Sequence, residues 1–297
     1  MKERYLRCCG SLHFRPYVPP EARRVKGSLT GDIRRHTVPS EIVGEREIMV
    51  YLPPGYSAAD NWLYPLGLLQ DGQNIFDSES AVFGVEWGVD ETAERLIANQ
   101  KMAPTILVAI YNSPNRIAEY TPFPDPEHGG GEAPLYKHFI IHELLPFLEE
   151  NYSVSKLPEE RAVIGSSLGG LVSLYLGWTT EGVFGKIGAL SPSLWWGRRC
   201  FLTGMAGDPP PKIRPQIWLD AGTDEVELDI NGNGVPDLID DLRTLRAILL
   251  AQGYHEGEDL LYREYEGGTH DEASWSERVD EVLAYFFPPE KSDRFRH

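Results

Sequence analysis

Residues 161–170 read RAVIGSSLGG and run directly into LVSLYLGW. A short apolar strand pattern ends in Gly165-Ser166-Ser167-Leu168-Gly169, and an apolar helix pattern begins at once. This is the G-x-S-x-G arrangement of a nucleophile elbow in its strand–turn–helix context. A serine hydroxyl attacks only when it is held out from the fold beside a base, and a sharp strand-to-helix turn does this while aiming backbone N–H groups at the reaction centre. Side chains at 165 and 169 would collide across so tight a turn, hence glycine at both. In this register Ser167 is the candidate nucleophile.

Outward from the elbow, period-two or all-apolar runs occur at residues 46–52 (REIMVYL), 64–69, 105–111 (TILVAIY), 161–165, 186–190, 216–219 and 260–265. Helical periodicity lies between most of them, at residues 89–99, 135–151, 168–178, 238–252 and 273–287. Such alternation specifies an α/β fold, a mostly parallel sheet with helices on both faces. The runs at 33–38 and 48–52 have no helix between them, so an antiparallel meander is expected to lead into the parallel part. No internal repeat or low-complexity tract interrupts the chain. We expect an N-terminal arm over residues 1–30 and one domain over residues 31–297, a normal size for a single α/β domain.

The chain has 28 Lys and Arg against 45 Asp and Glu, a net charge of −17. That balance argues against nucleic acid or an anionic membrane surface as partner. Residues 1–26 run the other way, with seven Lys/Arg against Glu3 and Glu21, which reads as a docking or disordered arm. The three cysteines, the adjacent Cys8 and Cys9 and the isolated Cys200, encode no disulfide framework and fit a reducing compartment. The N-terminus has no apolar signal core, and no apolar run approaches the ~18 residues of a membrane span. The expectation is a cytoplasmic protein whose partner is a small molecule, with a homo-oligomer left open.

In open α/β sheets functional groups gather at the carboxyl ends of strands. A serine nucleophile at an elbow takes its partners in the chain order Ser, acid, His. After QIWLD comes Ala221-Gly222-Thr223-Asp224-Glu225, and after LLYREYE comes Gly267-Gly268-Thr269-His270. His270 is therefore the candidate base. His13, His36, His128, His138, His142, His255 and His297 lack its order and its glycine-rich approach. The acid stays open among Asp224, Glu225, Glu227 and Asp229, which crowd one loop.

Five motifs in order, LQDGQNIFD, GSSLGG, GALSPSLWW, GTDE and GGTHDEASW, resemble the putative-esterase family of α/β-hydrolases. That family includes enterochelin esterases, S-formylglutathione hydrolases, feruloyl esterase domains and mycolyltransferases. The resemblance spans roughly residues 48–287. It implies the α/β-hydrolase fold, with Ser167 as nucleophile, His270 as base and Glu225 as acid, Asp224 being the reserve. It also implies an oxyanion hole made by the backbone N–H groups of Gln73 and Leu168. The chain departs from the family pattern in an acidic insertion after Glu225. Trp195 and Trp196 follow the strand pattern KIGAL, and one of the pair is expected to line the site, with Phe76, Trp87 and Tyr120 as lesser candidates.

Residues 229–240 read DINGNGVPDLID. Oxygen side chains at positions 1, 3, 5, 9 and 12 with glycine at position 6 suit a hard cation. The pattern resembles the calcium repeats of thrombospondin-like and dockerin-like modules, with Asp240 shorter than the Glu of an EF-hand. We expect one structural calcium held by Asp229, Asn231, Asn233, Asp237, Asp240 and the Val235 carbonyl, ordering the loop that carries Glu225. No cofactor is expected for catalysis. The sequence thus indicates a serine carboxylic-ester hydrolase working through an acyl-enzyme on a small or medium acyl, aryl or siderophore-type ester. The alternatives are an acyltransferase of the same fold and a non-catalytic calcium-binding member of it.

Overall fold

The computed structural model describes residues 29–59, 62–225 and 228–289. Most of the basic arm, with Cys8 and Cys9, and the acid candidate Glu227 lie outside the described residues. Eight strands form one sheet: β1 (Asp32–Val38), β2 (Arg46–Leu52), β3 (Leu66–Leu69), β4 (Ile106–Ile110), β5 (Arg161–Ser166), β6 (Lys186–Leu190), β7 (Gln216–Gly222) and β8 (Leu260–Tyr265). Their order across the sheet is β1-β2-β4-β3-β5-β6-β7-β8. The pairs β1–β2 and β2–β4 are antiparallel and all others parallel, the meander-then-parallel arrangement expected from the missing first helix. This is the α/β-hydrolase architecture.

Both faces of the sheet are covered, and alternation within each strand sorts side chains between them. On one face Leu68, Val108, Val163, Ile187 and Leu219 pack with helix residues such as Tyr136, Leu171 and Leu242. On the other, Leu69, Leu107, Ile164 and Trp218 meet Val89, Ala93, Val282 and Phe286. Every residue of β5 is buried, which places the elbow at the centre of the sheet rather than at its margin.

Three helical segments differ from the periodicity reading. The segment read as one helix over 135–151 consists of α3 (Ala133–Phe139), a π turn at Ile140–Leu144 and α4 (Leu145–Asn151). Pro146 cannot donate to the carbonyl four residues back and its ring crowds that carbonyl, so the wider turn lets the chain continue. The segment read as one helix over 273–287 is α8 (Glu272–Ser276) followed by α9 (Val279–Phe286). Between them Arg278 leaves helical geometry at φ −120 and sends its side chain inward. A helical segment, α6 (Trp196–Gly207), which periodicity does not announce, contains a left-handed turn at Gly197, Arg198 and Arg199. The remaining helices are α1 (Val89–Ala98), α2 (Arg116–Glu119), α5 (Leu168–Thr179) and α7 (Asp237–Ala251). Among the described residues no helix is long and apolar enough to cross a membrane.

The start of α1 gathers acid. Glu86, Asp90 and Glu91 each bring a carboxylate oxygen within 4.8 Å of the others, and Asp90 is fully buried with Oδ2 accepting from the Thr30 N–H at 2.7 Å. Burial, reinforced by the neighbouring carboxylates, pushes Glu86 up to about 7 and Asp90 up to about 8. The folded chain therefore holds protons that the unfolded chain has released above the ordinary carboxylate range. This contribution to stability is complete below about pH 4 and is lost as pH rises through about 7 to 8. In chelator-treated buffer we expect stability to fall between about pH 5 and pH 8, and Glu86→Gln to remove part of that fall, gaining about 1–2 kcal/mol at the upper end. Denaturant unfolding at both pH values measures it; parallel curves for the two chains would contradict the assignment.

Candidate active site

Three strand ends build the site. At the end of β5, Ser167 has φ 56 and ψ −123, a backbone state that side chains rarely occupy. Its N–H donates to the Leu190 carbonyl at 3.0 Å, and its own carbonyl accepts from the N–H groups of Leu171 and Ser193, each at 3.0 Å. The turn is so close that a Cβ on Gly165 would lie 2.5 Å from the Gly169 carbonyl oxygen. Gly165 is thus required by backbone contact between the strand and the helix after it, whereas a Cβ on Gly169 would press on Gln70 Cβ and Asp71 Oδ2, each at 3.1 Å, at the end of β3.

The acid and base loops meet in the same way. A Cβ on Gly222 would lie 2.2 Å from the Gly268 carbonyl oxygen, and Asp224 N–H donates to that carbonyl at 2.9 Å. Thr223 N–H donates to the Tyr265 carbonyl and Gly267 N–H to Thr223 Oγ1, both at 2.9 Å. With the loops locked together, Glu225 Oε2 lies 2.9 Å from His270 Nδ1, and His270 Nε2 lies 3.0 Å from Ser167 Oγ. Glu225 has a side chain only 1% exposed and His270 one 11% exposed. Asp224 is exposed and the Asp229 carboxylate is taken up by the N–H groups of Gly232, Asn233 and Gly234, so among the described acid candidates Glu225 is the one at the imidazole.

Burial alone would push the Glu225 carboxyl up. The hydrogen bond and charge of His270, the charge of Arg278 and the Ser191 hydroxyl outweigh it and hold the group below the ordinary carboxylate range. An ionised Glu225 accepts only, so Nδ1 of His270 carries the proton of that contact and Nε2 is left to accept from the Ser167 hydroxyl. The arrangement is that of a hydroxyl with its base and an orienting carboxylate.

The other expected positions are spread around this centre. Gln73 is the middle residue of a 3₁₀ turn at Gly72–Asn74, and Leu168 is the first residue of α5. Both sit where helical N–H groups have no partner within the helix. The Gly72 turn presses on β4, where a Cβ would lie 2.6 Å from the Ala109 carbonyl carbon. It is entered through Asp71 at φ 55, whose carboxylate accepts from Arg116 Nε at 2.6 Å and Nη2 at 2.7 Å and from Asn112 Nδ2 at 2.5 Å. Trp196 is buried, with its indole N–H on the Phe123 carbonyl at 2.8 Å, whereas Trp195 is half-buried and packs against Trp196 and the His128 ring. Phe76, Trp87 and Tyr120 are buried; Trp87 packs on Trp275, and the Tyr120 hydroxyl accepts from the Asp71 N–H at 3.2 Å.

Several residues at the site were not singled out by sequence reasoning. Ser193 Oγ lies 3.2 Å from Ser167 Oγ, and Ser191 donates to Glu225 Oε1 at 2.5 Å. Both follow β6 at its carboxyl end, the signal that pointed to the acid and base loops. Trp275 donates to Ser191 Oγ at 2.9 Å and sets its ring edge-on to His270 with centroids 5.0 Å apart. Arg278 and Asp220 complete a buried set behind Glu225; Arg278 is the one cation among residues 273–287 and falls on the buried stripe of Trp275, Val279 and Val282.

The loop at 229–240 is wrapped on Asp229, whose carboxylate accepts from the N–H groups of Gly232 and Gly234 at 2.8 Å and of Asn233 at 3.2 Å. The side chains of Asn231 and Asn233 converge on Asp240 Oδ2, each at 2.8 Å. Asp237 is buried, accepts from the Ile230 N–H at 3.2 Å and lies 3.6 Å from Arg199.

Residues 40–286 match the family described as "Putative esterase". The chain belongs to this family. As an esterase of that family it is a carboxylic ester hydrolase. It is 30% identical over 188 residues to "Uncharacterized protein YbbA" of Bacillus subtilis (strain 168), a match covering 61% of this chain and 70% of that one. In structure it is similar to the enterobactin esterase FES from Shigella flexneri, with TM-score 0.67 and 21% identity. That match takes in 86% of this chain but only 59% of the Shigella one. It is also similar to a CE1 ferulic acid esterase from Anaeromyces mucronatus, with TM-score 0.60 and 20% identity, over 90% of this chain and 95% of that one.

Because the elbow leaves no room for a methyl group, Gly165→Ala is expected to destabilise the fold by about 2–4 kcal/mol through backbone displacement. Urea unfolding of the variant checks it, and a loss near zero would show that the strand–helix contact yields freely.

Proposed function

We propose that this esterase is a serine hydrolase working through an acyl-enzyme, and the observation that carries the reading is the unbroken hydrogen-bonded line from Glu225 through His270 to Ser167. Ser167 Oγ attacks the ester carbonyl as its proton passes to His270 Nε2. Glu225 steadies the imidazolium through Nδ1–H. The N–H groups of Gln73 and Leu168 receive the oxyanion of the tetrahedral intermediate, an interaction in which each donor contributes about 3–4 kcal/mol to the transition state. Collapse breaks the C–O bond, and the alcohol leaves with the proton from His270. Water, deprotonated by the same imidazole, then releases the acid and restores Ser167. Ser193 gives the nucleophile a hydroxyl neighbour in addition to the imidazole.

The substrate in this reading is a small-molecule ester of aryl, medium acyl or siderophore type, with Trp195 offering a half-exposed indole wall for an apolar group. The names of the enterobactin and ferulic acid esterases support that class. The net charge of −17 disfavours nucleic acid and anionic membrane surfaces as partners.

Incubation with p-nitrophenyl, feruloyl, acetylated-sugar and trilactone siderophore esters tests the reading. Wild-type chain is expected to turn over at least one, and Ser167→Ala to lose about ten-thousand-fold or more in kcat. Turnover retained by Ser167→Ala would overturn it. Product formed only with an added alcohol acceptor would make the protein an acyltransferase instead.

We also propose that residues 229–240 hold one calcium ion, with Asp229, Asn231, Asn233, Asp237, Asp240 and the Val235 carbonyl as ligands. The convergence of Asn231 and Asn233 on Asp240 supports it, since rotating each amide would present oxygen to a common centre. A hard cation there would tie down the chain shortly after Glu225. Saturating calcium is expected to raise the melting temperature by about 4 °C or more, an effect that Asp229→Ala with Asp240→Ala abolishes. Unchanged melting and turnover after verified removal of calcium would retire the proposal.

A further inference from the structure

Behind the acid of the site lies a buried cation that the reaction as described does not use. Arg278 is 2% exposed and sits at the break between α8 and α9. Its Nη2 lies 3.0 Å from Ser191 Oγ and 3.4 Å from Glu225 Oε1, and its Nη1 lies 3.5 Å from Asp220 Oδ1. The guanidinium also rests over the Tyr265 ring, 5.0 Å from its centroid. Glu225 thus has two differently used oxygens. Oε2 faces His270, while Oε1 accepts from the Gly222 N–H and Ser191 Oγ, each at 2.5 Å, with Arg278 beyond. Ser191 is held in place to do this: it has φ 45, its N–H donates to the Asp220 carbonyl at 2.7 Å, and its hydroxyl also accepts from Trp275.

We propose that Arg278, acting with Ser191, is a positioning residue for hydrolysis: it anchors the far oxygen of Glu225 and, by its charge, sets the pH above which His270 can take the Ser167 proton. The proposal rests on the serine-hydrolase reading above. Its physical basis is that the negative charge of Glu225 is shared between an imidazole on one oxygen and a guanidinium on the other. A carboxylate already balanced by a fixed cation attracts an imidazolium less strongly, so the imidazole stays neutral, and able to act as a base, to a lower pH. Charged and titratable groups reach this centre from several of the described elements, Asp71 and Arg116 acting on Glu272 from the far side. Glu225 and Asp220 come from the end of β7 and the loop after it, Tyr265 from β8, and Asp271 and Glu272 from the segment after His270; Glu281 of α9 acts on Asp220 from further off. Asp220 is itself buried and pushed up to about 6, burial being opposed by Arg278 and by the Trp218 indole N–H. The cation therefore stands between two carboxylates, and the one nearer the reaction receives the additional hydroxyl of Ser191.

The test compares wild type, Arg278→Met, Arg278→Lys and Ser191→Ala on an ester that wild type hydrolyses. In Arg278→Met the acidic limb of the kcat/KM–pH profile is expected to move up by about 1 unit, with kcat falling tenfold or more and KM little changed. Arg278→Lys keeps the charge and is expected to return the limb to the wild-type position while recovering only part of kcat. Ser191→Ala should move the limb the same way by a smaller amount, and it carries the test if Arg278→Met does not fold. A limb that stays put in folded Arg278→Met, or in Ser191→Ala where the methionine variant is lost, would overturn the proposal, because a role in packing alone lowers stability without moving it. The midpoint of the His270 ring titration, followed by NMR in the same proteins, reads the charge effect without any turnover. An upward midpoint in an inactive protein would sink the hydrolase reading and leave the coupling standing, whereas an unmoved midpoint in an active one would sink the coupling alone.

Discussion

Close backbone contact at the carboxyl ends of the central strands is the constraint from which the site follows. At the elbow, Gly165 lets the strand and the following helix touch and Gly169 lets that helix close on Gln70 and Asp71, so the chain reverses within a few residues and leaves Ser167 at a positive φ. At Gly222 and Gly268 the acid and base loops touch in the same manner. Non-glycine residues at positive φ end two further strands, Asp71 after β3 and Ser191 after β6. Each of these states costs on the order of 1–3 kcal/mol, and each is held by hydrogen bonds from a neighbouring element. The parallel sheet supplies that support because its strand ends lie side by side.

Electrostatics then turns a rigid corner into a reactive one. Glu225, Arg278 and Asp220 are all withdrawn from water, and burying charge is unfavourable unless each group finds partners of good geometry. Here the carboxylate of Glu225 is met by an imidazole, a hydroxyl, an amide N–H and a guanidinium. Removing one of these leaves the others buried and mismatched, so the set behaves as a unit whose parts do not contribute additively. A half-buried set fixes the Asp71 turn through Arg116 and Asn112, which places the turn bearing Gln73.

Much of this was legible in the residues. The elbow, the alternation of strands and helices, the antiparallel start and the positions of Ser167 and His270 follow from local pattern, because an apolar run bounded by glycine has few ways to fold in such a sheet. The acid was not separable by pattern: Asp224 and Glu225 are neighbours in one loop, and only the turn decides that 224 faces solvent and 225 faces inward. Arg278 and Ser191 were not singled out for a different reason. Their partners are distant in sequence, and periodicity registers which face of an element is apolar without registering a single polar side chain directed into the core. The division of residues 273–287 escaped for the same cause, since the break falls at the buried Arg278.

The sheet order carries one more implication. Among the described strands β8 is an edge strand, paired with β7, and it leads into the loop that bears His270. Margins of a sheet open at less free energy than its interior. Fraying of this one rim would carry the imidazole away from a hydroxyl still seated in the middle of the molecule. Loss of activity under mild stress would then precede loss of the fold, and the protein would fail first as a catalyst and only later as a structure.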